Sequence, residues 1–506
     1  GAAGGCGMGS EADGGCGMGP GAARARRGRM AAVIVAAVAL VALPGQATAA
    51  TAVGTFPWQT RATGTATGTG APNPYAFAEG AETVDGATSN VDGPPLSPGK
   101  TYESSLPHAG RLYYRLDLQA RESAYVSATA VPRLGTRVSY ADGVEVSVQD
   151  ADGNNCSPIE AQEARFGASE SPRPITATAA RGTGPDETGC AGAGTFYVLV
   201  ERTSAPESSR ADWDLELRVV SEPPLRAAGA TAPPRSWNST TPVPPSGERK
   251  RRVGGTSYNT ARALDAGVWG DSVAPGRTRY YRVPVDWGQQ LSVSAEVGTS
   301  SGGRDGASES VRPRGTGYVS SGLVMTLANP VRAEAGDADT AYDGKQKSAA
   351  LDPLPPVAYE NRYATADSVS AMRFAGWYYV SVHLSPEVAE KFGAAPLELT
   401  LRVDVVGDPL PGPVYAGASR PADEFGVTER DTEAARRGET AAGSGTGDDP
   451  LLAAIAVGGI GTGVTLLVIL GVWTLTARRG DASSPAASAP TWDAPVRAGS
   501  EPRNRR

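Results

Sequence analysis

The chain has 506 residues and a formal net charge of −7, a length that would hold three domains. With 64 glycines, 40 prolines and 6% aromatics, only part of it can bury enough apolar surface to offset the entropy of ordering, so the composition argues for fewer. The mild negative charge, with no basic stripe in the expected folded part, argues against a nucleic-acid partner.

Residues 1–29 repeat Gly5-Cys6-Gly7-Met8-Gly9 as Gly15-Cys16-Gly17-Met18-Gly19. A cysteine-based metal tract is one reading. The expectation is a disordered extension upstream of a start at Met30. Arg24, Arg26, Arg27 and Arg29 precede an apolar run from Ala31 to Leu43, which Pro44-Gly45 breaks before the small residues Ala47-Thr48-Ala49. That order makes residues 30–49 a signal peptide, with a run too short for an ordinary spanning helix. The arginines lack a twin-arginine context, so the expected route is general secretion. Residues 50–76, rich in Thr, Gly and Ala, read as a disordered arm.

Residues 77–221 then alternate with period two. Tyr114, Leu116 and Leu118 face away from Tyr113, Arg115 and Asp117; Ala124, Val126, Ala128 and Ala130 from Tyr125, Ser127 and Thr129. Val144, Val146 and Val148, and Leu215, Leu217 and Val219, continue the pattern. Each is a strand with one buried and one wet face. Residues 254–407 do the same through Leu291–Val297, Leu323–Leu327 and Leu397–Val405. No helical stripe intervenes, so the predicted fold is mainly β: two tandem antiparallel sandwiches of the jelly-roll kind, with seven or eight strands each.

The two are a duplication. Tyr113-Tyr114-Arg115-Leu116 returns as Tyr280-Tyr281-Arg282-Val283, and Val126-Ser127-Ala128 as Val293-Ser294-Ala295, at one shared offset. Gly194-Thr195-Phe196-Tyr197-Val198 matches Gly376-Trp377-Tyr378-Tyr379-Val380 at a larger one, as does Leu215-Glu216-Leu217 with Leu397-Glu398-Leu399. The extra residues of the second repeat fall among two long polar loops, near 298–316 and 331–370. Between the repeats, residues 222–253 form a proline-rich linker with the basic run Arg249-Lys250-Arg251-Arg252, expected as a solvated charge cluster.

Few residues invite a chemical reading. Cys156 and Cys190 are the two cysteines left after the signal, and an exported context favours a disulfide over free thiols. Asp150, Asp152 and Asn154 precede or flank Gly153 in a pattern that serves calcium, but equally serves an ordinary turn. Asp337, Asp339 and Asp343 form a weaker acidic cluster. His108 stands in a turn between Pro107 and Gly110. His383 matches Glu201 of the first repeat and is expected on an exposed strand face rather than as a catalytic base. No nucleophile elbow, zinc motif or phosphate loop appears, and no catalytic, cofactor-binding or metal residue is assigned. In the second loop Pro355, Pro356, Tyr359 and Tyr363 are the candidate contact residues, and segment 351–363 is expected to be dispensable for folding.

Residues 408–449 read as a disordered stalk. Residues 450–477 then read as one transmembrane helix, since Leu451–Ala477 carries no charge and its stretch to Trp473 would reach about 34 Å as a helix. Asp448-Asp449 before it and Arg478-Arg479 after it place the N-terminus outside and the tail, 478–506, in the cytoplasm. Gly459 and Gly463 form a GxxxG face that would suit a homodimer.

Tyr102-x-x-Ser105-Leu106, Tyr113-Tyr114-Arg115 and Gly194-Thr195-Phe196-Tyr197-Val198 together resemble the bacterial pre-peptidase C-terminal domain. Trp269-x-x-Ser272-Val273, Tyr280-Tyr281-Arg282 and Gly288-Gln289-Gln290-Leu291 fit it in the second repeat. The chain as a whole resembles membrane-anchored extracytoplasmic proteins of GC-rich actinobacteria. The resemblance covers about half the chain and implies an accessory binding or stabilising sandwich without shared catalytic residues. The expected function is a non-enzymatic cell-surface binding or scaffold protein for a protein or cell-wall partner. A ligand-sensor subunit and an accessory to a secreted hydrolase are the alternatives.

Overall fold

The period-two segments fold into four five-stranded sheets. The computed structural model describes residues 71, 73–157, 162–183, 190–227, 229–234, 236–300 and 317–444. The residues expected to form the signal peptide, the transmembrane helix with Gly459 and Gly463, and the cytoplasmic tail lie outside them. Among the described residues no helix is long and apolar enough to cross a membrane.

The first sandwich contains β1 (Glu82–Thr83), β2 (Pro95–Leu96), β3 (Thr101–Leu106), β4 (Arg111–Leu118), β5 (Ser123–Val131), β6 (Gly143–Gln149), β7 (Gln162–Arg165), β8 (Ile175–Arg181), β9 (Gly194–Thr203) and β10 (Trp213–Glu222). The second contains β11 (Arg249–Arg251), β12 (Arg262–Ala263), β13 (Gly267–Val273), β14 (Arg277–Val285), β15 (Gln290–Val297), β16 (Val319–Ala328), β17 (Glu334–Tyr342), β18 (Lys347–Ala350), β19 (Gly376–Leu384) and β20 (Leu397–Val406). The sheet orders β1-β3-β10-β5-β8 and β2-β4-β9-β6-β7 recur strand for strand as β11-β13-β20-β15-β18 and β12-β14-β19-β16-β17. The duplication is therefore topological. Short edge strands bring each sandwich above the expected count, and β1, β2, β11 and β12 pair parallel rather than antiparallel.

Two apolar cores follow from the inward stripes. One gathers Tyr114, Leu116, Val126, Val146, Val198, Trp213 and Leu217; the other gathers Tyr281, Val283, Val293, Met325, Val380 and Leu401. Cys156 and Cys190 are joined in a disulfide with Cα atoms 5.7 Å apart. It ties the segment after β6 to the turn before β9. Breaking it with Cys156→Ser should lower unfolding stability by about 3–4 kcal/mol on the loop-entropy model, read by denaturant titration. A loss below about 1 kcal/mol would mean that the loop adds little to the unfolded chain's freedom.

The expectation of one wet face per strand is corrected at two sheets. Every residue of β5 is buried, because the outer face of β1-β3-β10-β5-β8 packs on the outer face of β12-β14-β19-β16-β17. A four-layer stack results. Tyr125, Ala180 and Val220 meet Val331, Ala333, Phe374 and Phe425 in one seam cluster; Tyr75 and Val131 meet Tyr258, Tyr280 and Ala328 in another. Ring pairs such as Tyr125–Phe374, with centroids 5.2 Å apart edge to face, add directional packing.

This seam recruits segments read as unstructured. Tyr75, from the expected disordered arm, is buried in it. The expected stalk folds back instead: Phe425 and Tyr415 join the first seam cluster. Thr428 caps the helix Glu429–Arg437, accepting from Asp431 N at 3.2 Å. Asp431 in turn accepts from Trp377 Nε1 at 3.0 Å, so this helix meets part of β19 outside the seam. The basic run is an edge strand on β13, with Arg252 over the Trp269 ring at 4.8 Å. Segment 331–370 carries β17, β18, the 3-10 turn Tyr359–Tyr363 and the helix Asp367–Ser370 rather than one long loop. Its polar look comes from strand residues whose alternate partners, such as Ala335, are small.

Candidate functional site

The seam is built around two carboxylates of β10. Glu216 is fully buried and closes a network. Its Oε1 accepts from Arg332 Nη1 at 2.6 Å and Tyr75 Oη at 2.9 Å; its Oε2 accepts from Asn259 Nδ2 at 2.7 Å and Ala78 N at 3.1 Å. Asn259 Oδ1 in turn accepts from Arg332 Nη2 at 3.0 Å. Burial alone would weaken the Arg332 guanidinium's hold on its proton, but Glu216 beside it raises that hold above the ordinary value. Glu222 takes both arms of Arg362, at 2.8 and 3.2 Å, and accepts from Tyr125 at 2.7 Å and Tyr415 at 2.9 Å. Burial pushes its carboxyl up, yet the Arg362 charge and these hydrogen bonds hold it below the usual range. Arg218–Glu424 at 2.7 Å lies in the same seam.

Where the two sheets diverge they leave a cleft of about 350 Å³. Its walls come from the loop after β7 (Phe166, Ser169, Arg173) and from β14, β16, β17 and β19 (Thr278, Thr326, Glu334, Asp337, Asp339, His383). Arg173 Nη1 donates to Phe166 O at 3.2 Å and Ser169 Oγ at 2.5 Å. Burial lowers its guanidinium to about 10, against the pull of Glu334, Tyr280 and Asp337. Glu334 keeps an exposed surface, but desolvation of its carboxyl against the cleft wall raises it, and Asp337 raises it further.

His383 was expected at an exposed position; it is 2% exposed. Its side chain does leave the core of its own sandwich, but the first sandwich covers that face. Nε2 meets Ser171 Oγ at 2.6 Å and Nδ1 meets Thr278 Oγ1 at 3.0 Å. A serine on an imidazole suggests a nucleophile and base. The third member here is a threonine hydroxyl, which offers no charge to stabilise an imidazolium, and burial with the nearby Arg173 charge lowers His383 to about 3. An imidazole so held does not take a proton at neutral pH, and we read the trio as a link between the sandwiches.

The acid stability follows with a definite sign. His383 takes up its proton more readily unfolded, so its contribution is complete above about 6.5 and is lost as pH falls towards 3. The lowered Glu222 acts in the same sense, with its contribution present above 4.5 and lost on further acidification. Thermal melts should therefore show Tm falling steadily below about pH 6.5, with His383→Gln flattening the first part of that fall. A Tm unchanged from pH 7 to 4 would contradict the buried seam.

The other sequence candidates separate. Asp150 spends its carboxylate on its own turn, accepting from Asp152 N at 3.0 Å, Asn154 N at 2.8 Å and Asn154 Nδ2 at 2.9 Å. Asp337 and Asp339 reach the cleft, whereas Asp343 pairs with Lys347 at 2.9 Å. Pro355 is buried and Pro356, Tyr359 and Tyr363 are half-buried. The Tyr359 ring lies under Arg362 at 3.5 Å and lines a second groove of about 460 Å³ with Trp287, Val357, Leu410 and Pro411. Arg173, Glu216, Arg332 and Arg362 were not singled out from sequence. One signal was available: Tyr125 and Val131 on β5, and Val324 and Ala328 on β16, are apolar on the supposed wet face, where the matching strands β15 and β6 carry Ser292, Ser294, Glu145 and Gln149.

Fold and seam define a tandem β-sandwich protein with an interdomain cleft. No family model and no curated protein matches the chain. Among solved structures it is similar to the pre-peptidase C-terminal domain of collagenase from Bacillus anthracis, at 14% identity over 25% of this chain and 94% of that one, TM-score 0.16. It is also similar to the tandem CBM22-1-CBM22-2 domains of Xyn10C from Paenibacillus barcinonensis, at 12% identity over 58% and 82%, TM-score 0.15. A third likeness is to the CUB1-EGF-CUB2 region of human MASP-1/3, at 10% identity over 60% and 99%, TM-score 0.13.

Proposed function

We propose that the chain is a non-enzymatic, single-span cell-surface protein. Two pre-peptidase C-terminal-like sandwiches act as one outward binding or scaffold unit for a protein or cell-wall partner. The seam is the observation that carries this. Glu216–Arg332 and Glu222–Arg362 are desolvated pairs that lock the modules face to face, which suits a fixed presenting surface. His383, the imidazole that meets the Ser171 and Thr278 hydroxyls, is held neutral. The outward orientation rests on the signal peptide and on the Asp448-Asp449 and Arg478-Arg479 asymmetry.

The partner contact in this reading is the edge formed by Tyr359, Pro356 and Tyr363 and continued by Leu410, which is 59% exposed. Aromatic side chains beside an open apolar groove are good anchors because they bury area at low entropic cost. Protease added to intact cells should remove the sandwiches. A photo-cross-linker at Leu410 should capture a discrete partner that one at the exposed Val91 does not. Protection of the sandwiches with digestion of the tail would reverse the topology, and equal products from both positions would remove the contact edge.

A further inference from the structure

The interdomain cleft is a binding site that the seam alone does not require. We infer that it takes a small zwitterionic ligand, an amino acid or the end of a short peptide, with the carboxylate on Arg173 and the ammonium group on Glu334 and Asp337. This rests on the binding reading above and gives the cleft a ligand class.

Charge accounting leads there. Arg332 is committed to Glu216, and Arg165 to Glu163 at 2.6 Å. That leaves Arg173 as the cleft's cation without a carboxylate within ion-pair distance among the described residues. Its Nη1 is occupied, while Nε and Nη2 have no protein partner among those residues. Glu334, Asp337 and Asp339 stand on β17 in the same cleft; Glu334 and Asp337 are near enough to feel the Arg173 charge but not to pair with it, while Asp339 accepts from Ser321 Oγ. A gap lined by one cation without a carboxylate partner and by the carboxylates of β17 matches a molecule carrying both charges, and charge-assisted hydrogen bonds are roughly twice as strong as neutral ones. Arg332, itself buried, also lines the cleft and keeps an Nε without a partner. The volume of about 350 Å³ suits an amino acid or dipeptide.

A neutral sugar fits less well. The aromatic residues of the lining, Phe166, Tyr258 and Tyr280, are all buried, so they offer no open ring face for stacking. A simple anion would meet the acidic β17 edge.

Calorimetric titration of the full chain in detergent tests this, with L-alanyl-L-alanine and L-lysine as probes. At least one should bind. Blocking the dipeptide by N-acetylation or C-terminal amidation should each weaken its binding at least about tenfold, as should Arg173→Gln or Asp337→Asn. Asp337 is exposed, so its variant serves if Arg173→Gln does not fold. No binding by either probe, equal binding by blocked forms, binding by glucose instead, or wild-type affinity in the folded variants would overturn the inference. If the probes fail while cross-linking at Leu410 still captures a partner, only the ligand class falls. If both fail, the binding reading falls with it.

Discussion

Glu216→Gln should destabilise the protein by about 3–5 kcal/mol, because it leaves Arg332 charged and buried with no counter-charge. The glutamine keeps the size but, with one acceptor oxygen in place of two, only two of the four hydrogen bonds, so the loss combines the missing charge with two buried donors left unmatched. Denaturant unfolding of the intact protein followed by tryptophan fluorescence reads it. The double replacement Glu216→Gln with Arg332→Met should recover most of the loss, since removing a desolvated pair together is far milder than removing one member. A single variant within about 1 kcal/mol of wild type would show water reaching Glu216 and the sheets standing apart.

Deleting residues 351–363 should abolish folding of the second sandwich, against the expectation from sequence that the segment is a dispensable loop. Leu354 and Val357 are 3% and 1% exposed and belong to the second core. Losing the Leu354 side chain alone would cost roughly 2–5 kcal/mol. The deletion also removes Asn361, whose Nδ2 donates to Pro356 O and Met372 O, both at 2.9 Å, and Arg362, which anchors Glu222. Protease resistance of the purified variant measures it. A resistant second sandwich would restore the loop reading.

Period two made the inward stripes of both sandwiches legible, and the repeat of Tyr113-Tyr114-Arg115 as Tyr280-Tyr281-Arg282 located matching strands. The seam was hidden for a physical reason. A duplication makes the two repeats look alike, while the contact between them is asymmetric. Glu216 of β10 and Glu398 of β20 occupy the same repeat position. The first is buried against Arg332; the second is exposed and pairs with Arg249 at 3.2 Å. Glu201 of β9 pairs with the exposed Arg111 at 2.7 Å, while its counterpart His383 is sealed beneath Ser171. Alternation reports which side of a strand leaves its own core and is silent on what lies beyond. Proline-rich composition likewise hid Leu354 and Val357, whose burial is set by tertiary packing. The cleft residue Arg173 carried no local pattern at all.

His383 offers the most direct measurement of the central claim, that the outer faces of the two sandwiches bury each other. The chain has two histidines, so a protein carrying ¹³C-labelled histidine gives two ring signals, and a His108→Gln variant assigns them. If the seam is closed, the His383 signal keeps its neutral position from pH 8 down to about 4 and moves only as pH approaches about 3. A His383 signal that titrates near 6.5 in the folded protein would mean an imidazole open to water, and would contradict the face-to-face pairing on which the rest depends.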